Sequence, residues 1–504
     1  MPETETAHVG GEVVMSPGHA AAVHAPAPLE TAKSPCISSH SSDSESSSGA
    51  EEPLPCSSEP SRRRQVSQPQ ASRPCYFYNA PCYPYNAPVP VSSGATIHKV
   101  PVPLRTINPG FAAPIAVAIG PYHHGSPHLQ EMEEAKQVAR DEFCRVAGQP
   151  PKAIQQKIAS LTAHTRRCYN GCHLCVRMDD HRFAEVMFTD GCFLLQFMAC
   201  MCPAAGNLDA PPAADGLWAK VHSRVDAIAR DVMLLENQLP WLVLQALMEC
   251  APGVPWLETV TKFLDLMACA FTLGNEVSTT TQKPDADFRP PPPHLLGLFH
   301  RRQVGAARTQ SLHVPRLSSL SSTAVELAEM GVNITASKAR VFGDMTMTKR
   351  RHRLGLFGEL SLAPVVLSDL TACWLFNMVA LEACLGATCA DNFAVSSYVS
   401  AVSLLMNRAE DVQELRGKGV VVSALSDETT LSSFKKLTAH VRVGYRYYDV
   451  FQRLQEYRQE RWVWIAVHGF LYRNLKTIIA VISAIGVLAG LFKAILYLKN
   501  PQQG

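Results

Sequence analysis

Apolar residues recur at spacings of three and four positions in several parts of the chain, which is typical of amphipathic helices. One such pattern runs from Leu370 to Leu385, and a second runs from Tyr398 to Val412 and ends before Gly417. A third, nearly all apolar stretch covers Asp226 to Glu249, and Pro240 divides it because proline ends or kinks a helix. The pattern therefore predicts packed, largely buried helices.

Short extended segments separate the predicted helices. The apolar run Ile115 to Ile119 stops at Gly120, which predicts a short buried strand or an extended segment. The spacing of Thr323 to Glu326 predicts a capped helix start, and Gly331 predicts a left-handed helix end. Apolar and polar residues then alternate from Val332 to Ile334, as in a strand.

Two segments lack these patterns. Residues 1–107 are rich in Ser, Pro, Ala and Glu, a composition that predicts a disordered arm. Residues 276–322 are rich in Ser, Thr and Pro without a helical period, which predicts a long surface insertion. The predicted fold class is mainly α: a large α-rich globular domain over residues 108–472, with few short strands.

The most continuous apolar segment runs from Thr477 to Leu498 and is interrupted only by Lys493. A helix of about twenty residues crosses the hydrocarbon layer of a membrane, and the lysine side chain can extend to the nearer surface. Apolar residues such as Ile482, Leu488 and Phe492 leave no polar face for water. The segment 477–498 is therefore predicted to be one C-terminal transmembrane helix.

Charge gives an orientation for this span. The net charge of +2 provides no global field for nucleic acid, so no nucleic-acid partner is expected. Basic residues are more numerous before the span than after it, which predicts that the bulk of the chain is cytoplasmic. These residues are Arg458, Arg461, Arg473 and Lys476 before the span, and Lys493 and Lys499 at its far end. The predicted location is the plasma membrane or an endomembrane, with the lipid bilayer as a partner.

The cysteines do not follow a repeated spacing. The chain has 16 of them between Cys36 and Cys389, a pattern that favours mostly reduced, partly buried thiols over a disulfide scaffold. Cys168, Cys172 and Cys175 form a C-x3-C-x2-C group, for which a zinc site or a redox pair is the alternative. Because a second ligand pair is missing, no metal and no cofactor is expected.

Two adjacent histidines, His123 and His124, are the strongest candidates for chemistry, because imidazole can act as a general base or bind zinc. Adjacent side chains point apart on a regular element, so a structural turn is favoured. Asp190 and Glu236 have no base at a fixed sequence spacing, and no nucleophile elbow or phosphate-binding loop follows a credible strand. No catalytic residue is predicted; a membrane-bound enzyme using His123, His124 and an acid is the alternative.

Several short motifs occur together in a fixed order. They comprise Gly120, Pro121, Tyr122, His123, His124 and Gly125, then Asp190 and Gly191, and then Glu236, Asn237, Gln238 and Pro240. In these motifs the sequence resembles the plant-specific family called domain of unknown function 247, over about residues 107–498. The resemblance implies one α-rich domain that ends in a transmembrane helix. It also implies that the motif residues are fold markers, since the family has no established catalytic residues.

The predicted function is that of a membrane-anchored interaction or signalling protein of unknown biochemical activity, with protein partners and no enzymatic role. Some grass members of the family are associated with self-incompatibility, so the resemblance also implies a link with cell recognition in plant reproduction. A further alternative is nuclear regulation, which would use the basic runs Arg62–Arg64 and Lys349–Arg353. That alternative requires the C-terminal segment to be a soluble helix.

Overall fold

Helices form most of the part of the chain that the computed structural model describes, and the strands are short. The structure describes residues 96–202, 214–271, 291–305, 322–338, 341–349, 357–385, 393–441, 443–444 and 446–499. The mainly α fold class with few short strands is therefore confirmed.

Each helix is labelled in chain order within these ranges. The α helices are α1 (Val102–Ile107), α2 (Glu131–Ala147), α3 (Pro151–Ser160), α4 (Thr162–Arg167), α5 (His173–Arg177), α6 (Asp180–Met201), α7 (Ala214–Val221), α8 (Val225–Asp231), α9 (Trp241–Cys250), α10 (Trp256–Cys269), α11 (Leu295–Val304), α12 (Ala324–Glu329), α13 (Asp369–Leu385), α14 (Ala394–Leu404), α15 (Ala409–Gly417), α16 (Asp427–Thr438), α17 (Tyr448–Glu460) and α18 (Trp462–Lys499). Short 3-10 helices lie at Pro109–Phe111, Pro127–Leu129 and His222–Arg224.

The strands form two small sheets in the described part of the chain. They are β1 (Val332–Ala336), β2 (Thr346–Lys349), β3 (Gly358–Leu362), β4 (Val365–Leu367) and β5 (Val421–Ser423). In the first sheet, β3 lies between β1, to which it is parallel, and β2, to which it is antiparallel. In the second, β4 and β5 are parallel. The strand predicted at Val332 to Ile334 is thus confirmed as part of β1.

Helix α6 lies at the centre of the N-terminal half. Asp179 caps its start, with the Arg182 backbone N–H donating to the aspartate Oδ1 at 2.7 Å. Nearly all of its residues from Phe183 to Met198 are buried, because α2, α3, α9 and α10 pack around it. Phe197 lies edge-on to Phe263 of α10, with ring centroids 6.1 Å apart. From Phe183 on, the helix is mostly apolar because protein packs around it.

Several sequence predictions of local structure are confirmed. Thr323 and Glu326 form a capping box at the start of α12, and Gly331 has a left-handed φ of +79° just beyond its end. The apolar face from Leu370 to Leu385 is helix α13. Pro240 separates α8 from α9, and the residues between them form a loop rather than more helix.

The single helix predicted from Tyr398 to Val412 is wrong. The chain forms two helices there, α14 and α15, with a break at residues 405–408. The Asp411 carboxylate accepts backbone hydrogen bonds from Asn407 and Arg408 at 3.0 and 3.1 Å. A carboxylate that caps the start of a helix stabilises the break, although the apolar spacing continues through it.

The predicted domain boundaries also need correction. The predicted arm ends at residue 107, but Ile97 and Leu104 are buried, so residues 96–107 belong to the globular body. The predicted insertion at 276–322 contains α11, whose Leu296 and Phe299 are buried in the core. This helix contains five apolar residues, but it is short and lies beside a proline run, so the sequence shows no helical period there. The rest of the arm, residues 272–290 and 306–321, and the basic runs at 62–64 and 350–353 lie outside the described residues.

Candidate functional site

The motif residues come together around an extended segment, residues 115–120. Between Ile115 and Gly120 the backbone pairs with no strand in the described chain, and side chains accept its N–H groups instead. Asp231 accepts from residues 115–117, the shortest bond being 2.6 Å from Ala116. The Asn237 Oδ1 atom accepts from Ile119 at 2.7 Å, and Asp190 Oδ2 accepts from Gly120 at 2.8 Å. Side chains thus satisfy buried backbone donors that a sheet would otherwise satisfy.

The turn after this segment packs directly on the loop that precedes α9. Gly120 has a φ of +76°, and a Cβ atom there would lie 2.8 Å from the carbonyl oxygen of Gln238. The Tyr169 hydroxyl donates to the same carbonyl oxygen at 3.0 Å. The position therefore requires glycine both for its conformation and for the close approach. We call residues 115–125, Asp190 and residues 231–240 the motif cluster.

Asp190 lies in a buried ion pair with Lys136 of α2. The Lys136 ammonium is fully buried, 2.8 Å from Asp190 Oδ1 and 2.7 Å from Glu133 Oε1. Burial alone would lower the pKa of Lys136, but the two carboxylates outweigh it and raise that pKa. Burial raises the pKa of Asp190, and Lys136 opposes this only in part. The next residue, Gly191, leaves room for Leu247 of α9, which a Cβ atom would contact too closely.

The Glu236 carboxylate interacts with two separate parts of the chain. Its Oε1 atom accepts the Val100 backbone N–H at 2.7 Å and also pairs with the Arg105 guanidinium. Its Oε2 atom lies 3.6 Å from His123 Nε2. Burial opposes ionisation of Glu236, yet His123, the Val100 N–H and Arg105 together lower its pKa. The carboxylate is therefore held ionised between residues 97–107, which we call the N-terminal strap, and the turn that contains His123.

The second histidine, His124, points away from this carboxylate. Its Nε2 atom lies 3.2 Å from the Arg182 guanidinium, and its Nδ1 atom is buried without a hydrogen-bond partner among the described residues. Burial is the main reason that the pKa of His124 is lowered. The two histidines thus diverge, as adjacent side chains at a turn should, and His123 alone lies against an acid.

Gln238 and Asn377 join the motif cluster to the C-terminal half. Gln238 Nε2 donates to the carbonyls of Val232 and Leu234, and its Oε1 accepts the backbone N–H of Leu296 in α11 at 2.9 Å. Asn377 of α13 accepts the Leu235 N–H at 2.9 Å. Pro240 then directly precedes α9, where a missing N–H costs nothing. The loop 232–240 is therefore bonded by side-chain amides to both halves of the body.

The chemistry of this arrangement is that of a satisfied polar network. Asp190, Asp231 and Glu236 each hold a cation together with backbone donors. In the described ranges no group of three or more His, Cys, Asp or Glu side chains is placed to hold a metal ion. No partner for these acids was predicted from the sequence. A signal for Lys136 is nevertheless present, because this lysine falls on the apolar face of α2 between Met132 and Ala139.

Two cysteines of the C-x3-C-x2-C group are oxidised, whereas the sequence favours mostly reduced thiols. Cys172 and Cys175 form a disulfide at the start of α5, and both are buried. Cys168 remains a free thiol one turn earlier. Of the alternatives, the geometry fits a cysteine pair and not a zinc site.

Helix α18 contains the predicted membrane span. It is 38 residues long, and the part predicted as the span, residues 477–498, is exposed except at Ile478, which is partly buried. Two described helices are long and apolar enough to cross a membrane, α6 and α18. In α6, 78% of the most apolar window is buried inside the body, whereas in α18 none of it is. Length and composition do not separate these two helices, but burial does.

Comparison with known proteins shows the family to which this sequence is similar. A family profile described as a plant protein of unknown function, DUF247, matches residues 97–489. The chain belongs to the DUF247 family. A UPF0481 protein of Arabidopsis thaliana is 30% identical over 155 residues, which is 30% of each chain. A putative UPF0481 protein of the same plant is 27% identical over 199 residues, covering 38% of this chain and 33% of that protein.

The match to these curated relatives spans about a third of their length. No solved structure matches the chain. The DUF247 profile begins at residue 97, within the strap that contacts Glu236, and ends inside α18. The family segment therefore includes the motif cluster and most of the apolar helix.

Proposed function

We propose that this DUF247 protein is a membrane-anchored interaction protein, held by α18 in the plasma membrane or an endomembrane. The observation that carries the proposal is the exposure of α18. Its large apolar residues from Ile479 to Leu498 are about half exposed or more on every side of the helix. Exposing so large a continuous apolar surface to water is unfavourable, and a bilayer removes that cost. As a helix, residues 477–498 are about 33 Å long, enough for the hydrocarbon layer.

The orientation follows from charge. Basic side chains cluster on the body side of the span, at Arg473 and Lys476 on α18 itself and at Arg458 on α17. Because positively charged flanks remain on the cytoplasmic side, we place the body in the cytoplasm. Lys493 lies close to the far end, where its side chain can reach the opposite headgroups.

The body is proposed to act by binding partners rather than by catalysis. The acids that a His-dependent enzyme would need are already engaged: Glu236 by Arg105 and the Val100 N–H, and Asp190 by Lys136. A general base needs a free acceptor within reach of its substrate. The family resemblance further supports a role in cell recognition during plant reproduction, which we include in the proposal.

The test is alkaline-carbonate extraction of membranes that contain either the full chain or a truncation ending at Tyr472. We expect the full chain to stay with the membrane pellet and the truncation to be released, because only the full chain keeps the span. An N-terminal tag should be digested by protease added to the cytoplasmic side of sealed vesicles. Release of both chains would refute the anchor, and a protected tag would refute the orientation.

A further inference from the structure

Two adjoining cavities lie where α18 leaves the globular body. They have volumes of about 330 and 380 Å³ and share Ser322, Met330 and Arg458 in their walls. The larger one is also lined by the first turns of α18, at Ile465 and Gly469, and extends to Arg473. The cavities are thus lined by α12 with its flanking residues and by α17, and the larger one also by the beginning of the helix that we propose as the anchor.

This corner of the fold is fixed by direct contacts. The His468 Nδ1 atom donates to the carbonyl oxygen of Glu329 at 2.8 Å, which ties α18 to the end of α12. The Tyr457 hydroxyl donates to the carbonyl oxygen of Met330 at 3.2 Å, which ties α17 to the same point. Helix α18 passes close to the end of α12 at Gly469, where an added Cβ atom would lie 3.6 Å from the Glu329 carbonyl oxygen, an ordinary contact distance. The cavity walls are therefore set by backbone positions.

The larger cavity reaches the level of lipid headgroups at Arg473 if α18 is the anchor, so this inference rests on the proposed function. Arg473 precedes Thr477 by one turn, about 6 Å along the helix, and Gly469 precedes it by about 12 Å. The headgroup layer of one leaflet is about 5–7 Å thick. The larger cavity therefore begins in the headgroup layer and continues toward the body.

The charges in the larger cavity are balanced but not all paired. Its walls contain two guanidinium groups, of Arg458 and Arg473, and two carboxylates, of Glu326 and Glu329. Arg473 Nε lies 3.7 Å from Glu329, and Glu326 Oε2 accepts the Thr323 backbone N–H at 3.0 Å. Arg458 forms no ion pair with any side chain in the described ranges. The Arg458 guanidinium is therefore available to a ligand, in a cavity that also contains the carboxylates of Glu326 and Glu329.

We propose that this cavity binds the headgroup of a phosphoethanolamine lipid. Its phosphate would pair with the Arg458 guanidinium, which matches phosphate oxygens in a two-pronged geometry. Its primary ammonium would donate hydrogen bonds to the Glu326 and Glu329 carboxylates. A quaternary choline ammonium has no N–H to donate, and a headgroup with excess negative charge would face both carboxylates without compensation. The acyl chains would extend beside α18.

The experiment uses the delipidated full chain in detergent, titrated with short-chain phospholipids that carry ethanolamine, choline or glycerol headgroups. We expect the ethanolamine lipid to bind at least ten-fold more tightly than the other two. Arg458→Gln should weaken that binding about ten-fold or more, since a charge-assisted hydrogen bond is lost. Arg453→Gln removes the same charge from the same helix outside the cavity and should leave the affinity unchanged.

Three results would overturn the proposal. They are equal affinity for all three lipids, a preference for the glycerol headgroup, and equal losses from Arg458→Gln and Arg453→Gln. Soluble glycerophosphoethanolamine serves as a further arm, and binding as tight as that of the lipid would show that the ligand is not a membrane lipid. Because binding is measured in detergent, a failed titration beside carbonate-resistant protein would refute the headgroup site alone.

Discussion

The ion pair between Lys136 and Asp190 gives the sharpest test of how the motif cluster is held together. Lys136→Met replaces a fully buried ammonium by an apolar side chain of similar length on the buried face of α2. Asp190 then still accepts the hydrogen bond from the Gly120 N–H at 2.8 Å, but it loses the Lys136 ammonium. A carboxylate left in the core without its cation is among the most destabilising single changes.

The magnitude follows from the burial of both partners. Breaking a buried ion pair by removing one partner costs about 3–5 kcal/mol of unfolding free energy. For a body of roughly 400 residues the unfolding entropy is about 0.8 kcal/mol per degree, so the midpoint should fall by about 5 °C. Lys136→Met together with Asp190→Asn should cost less than Lys136→Met alone, because no uncompensated charge remains and the Asn oxygen still accepts from Gly120.

The assay is thermal unfolding of the full chain in detergent, followed by near-UV circular dichroism, between pH 5 and pH 8. Burial already raises the pKa of Asp190, and loss of Lys136 should raise it further. The folded variant then binds a proton that the unfolded chain releases, so its stability should fall as pH rises, by up to about 1.4 kcal/mol per unit. A Lys136→Met midpoint within 1 °C of the parent, or a double variant less stable than the single one, would refute the reasoning.

Three further outcomes are expected. Gly120→Ala should cost about 2 kcal/mol more than Gly125→Ala in thermal melts: both glycines have positive φ, but only the first Cβ meets a backbone atom, and equal costs would contradict this. Glu236→Gln should lower the melting midpoint at pH 7, and the gap from the parent should close as pH falls below about 4.5, because the lowered pKa of Glu236 stabilises the fold only while the group is ionised; a gap that persists at pH 3 would argue against it. Placing Arg at both Ile482 and Leu488 should add about 6 kcal/mol to insertion and release the chain on carbonate extraction, whereas a fully retained variant would exclude this span.

The fold was predictable where one short-range signal dominated. Thr323 and Glu326 interact over three positions, so the capping box is legible in the sequence and present in the structure. The helix break near Asn407 was not predictable from spacing, because the apolar period continues while Asp411 caps a new helix. Helix α11 was hidden by the proline-rich composition beside it, although Leu296 and Phe299 are core residues.

The candidate site was predictable as a set of residues but not as a set of contacts. The motifs at 120–125, 190–191 and 236–240 do converge, yet each partner comes from a distant part of the chain. Arg105 and Glu236 are 131 positions apart, and Asn377 reaches Leu235 across 142. Such pairings depend on how helices pack, which periodicity within one helix does not determine. Asp231 lies outside the motifs found in the sequence, and only the fold reveals that it holds the segment 115–117.

The same polar network explains why α6 and α18 differ despite their shared apolarity. Asp190 lies within α6, and a carboxylate at the centre of a lipid-exposed helix would cost about 2.5–3.5 kcal/mol. In the body, Lys136 and the Gly120 N–H satisfy it instead, so packing is the better environment for α6. Helix α18 contains no acidic residue between Trp462 and Lys499, and its polar side chains concentrate before Thr477. A buried acid whose partners lie in the body therefore marks α6 as a core helix, and α18, which contains no acid, is the helix that fits the proposed anchor.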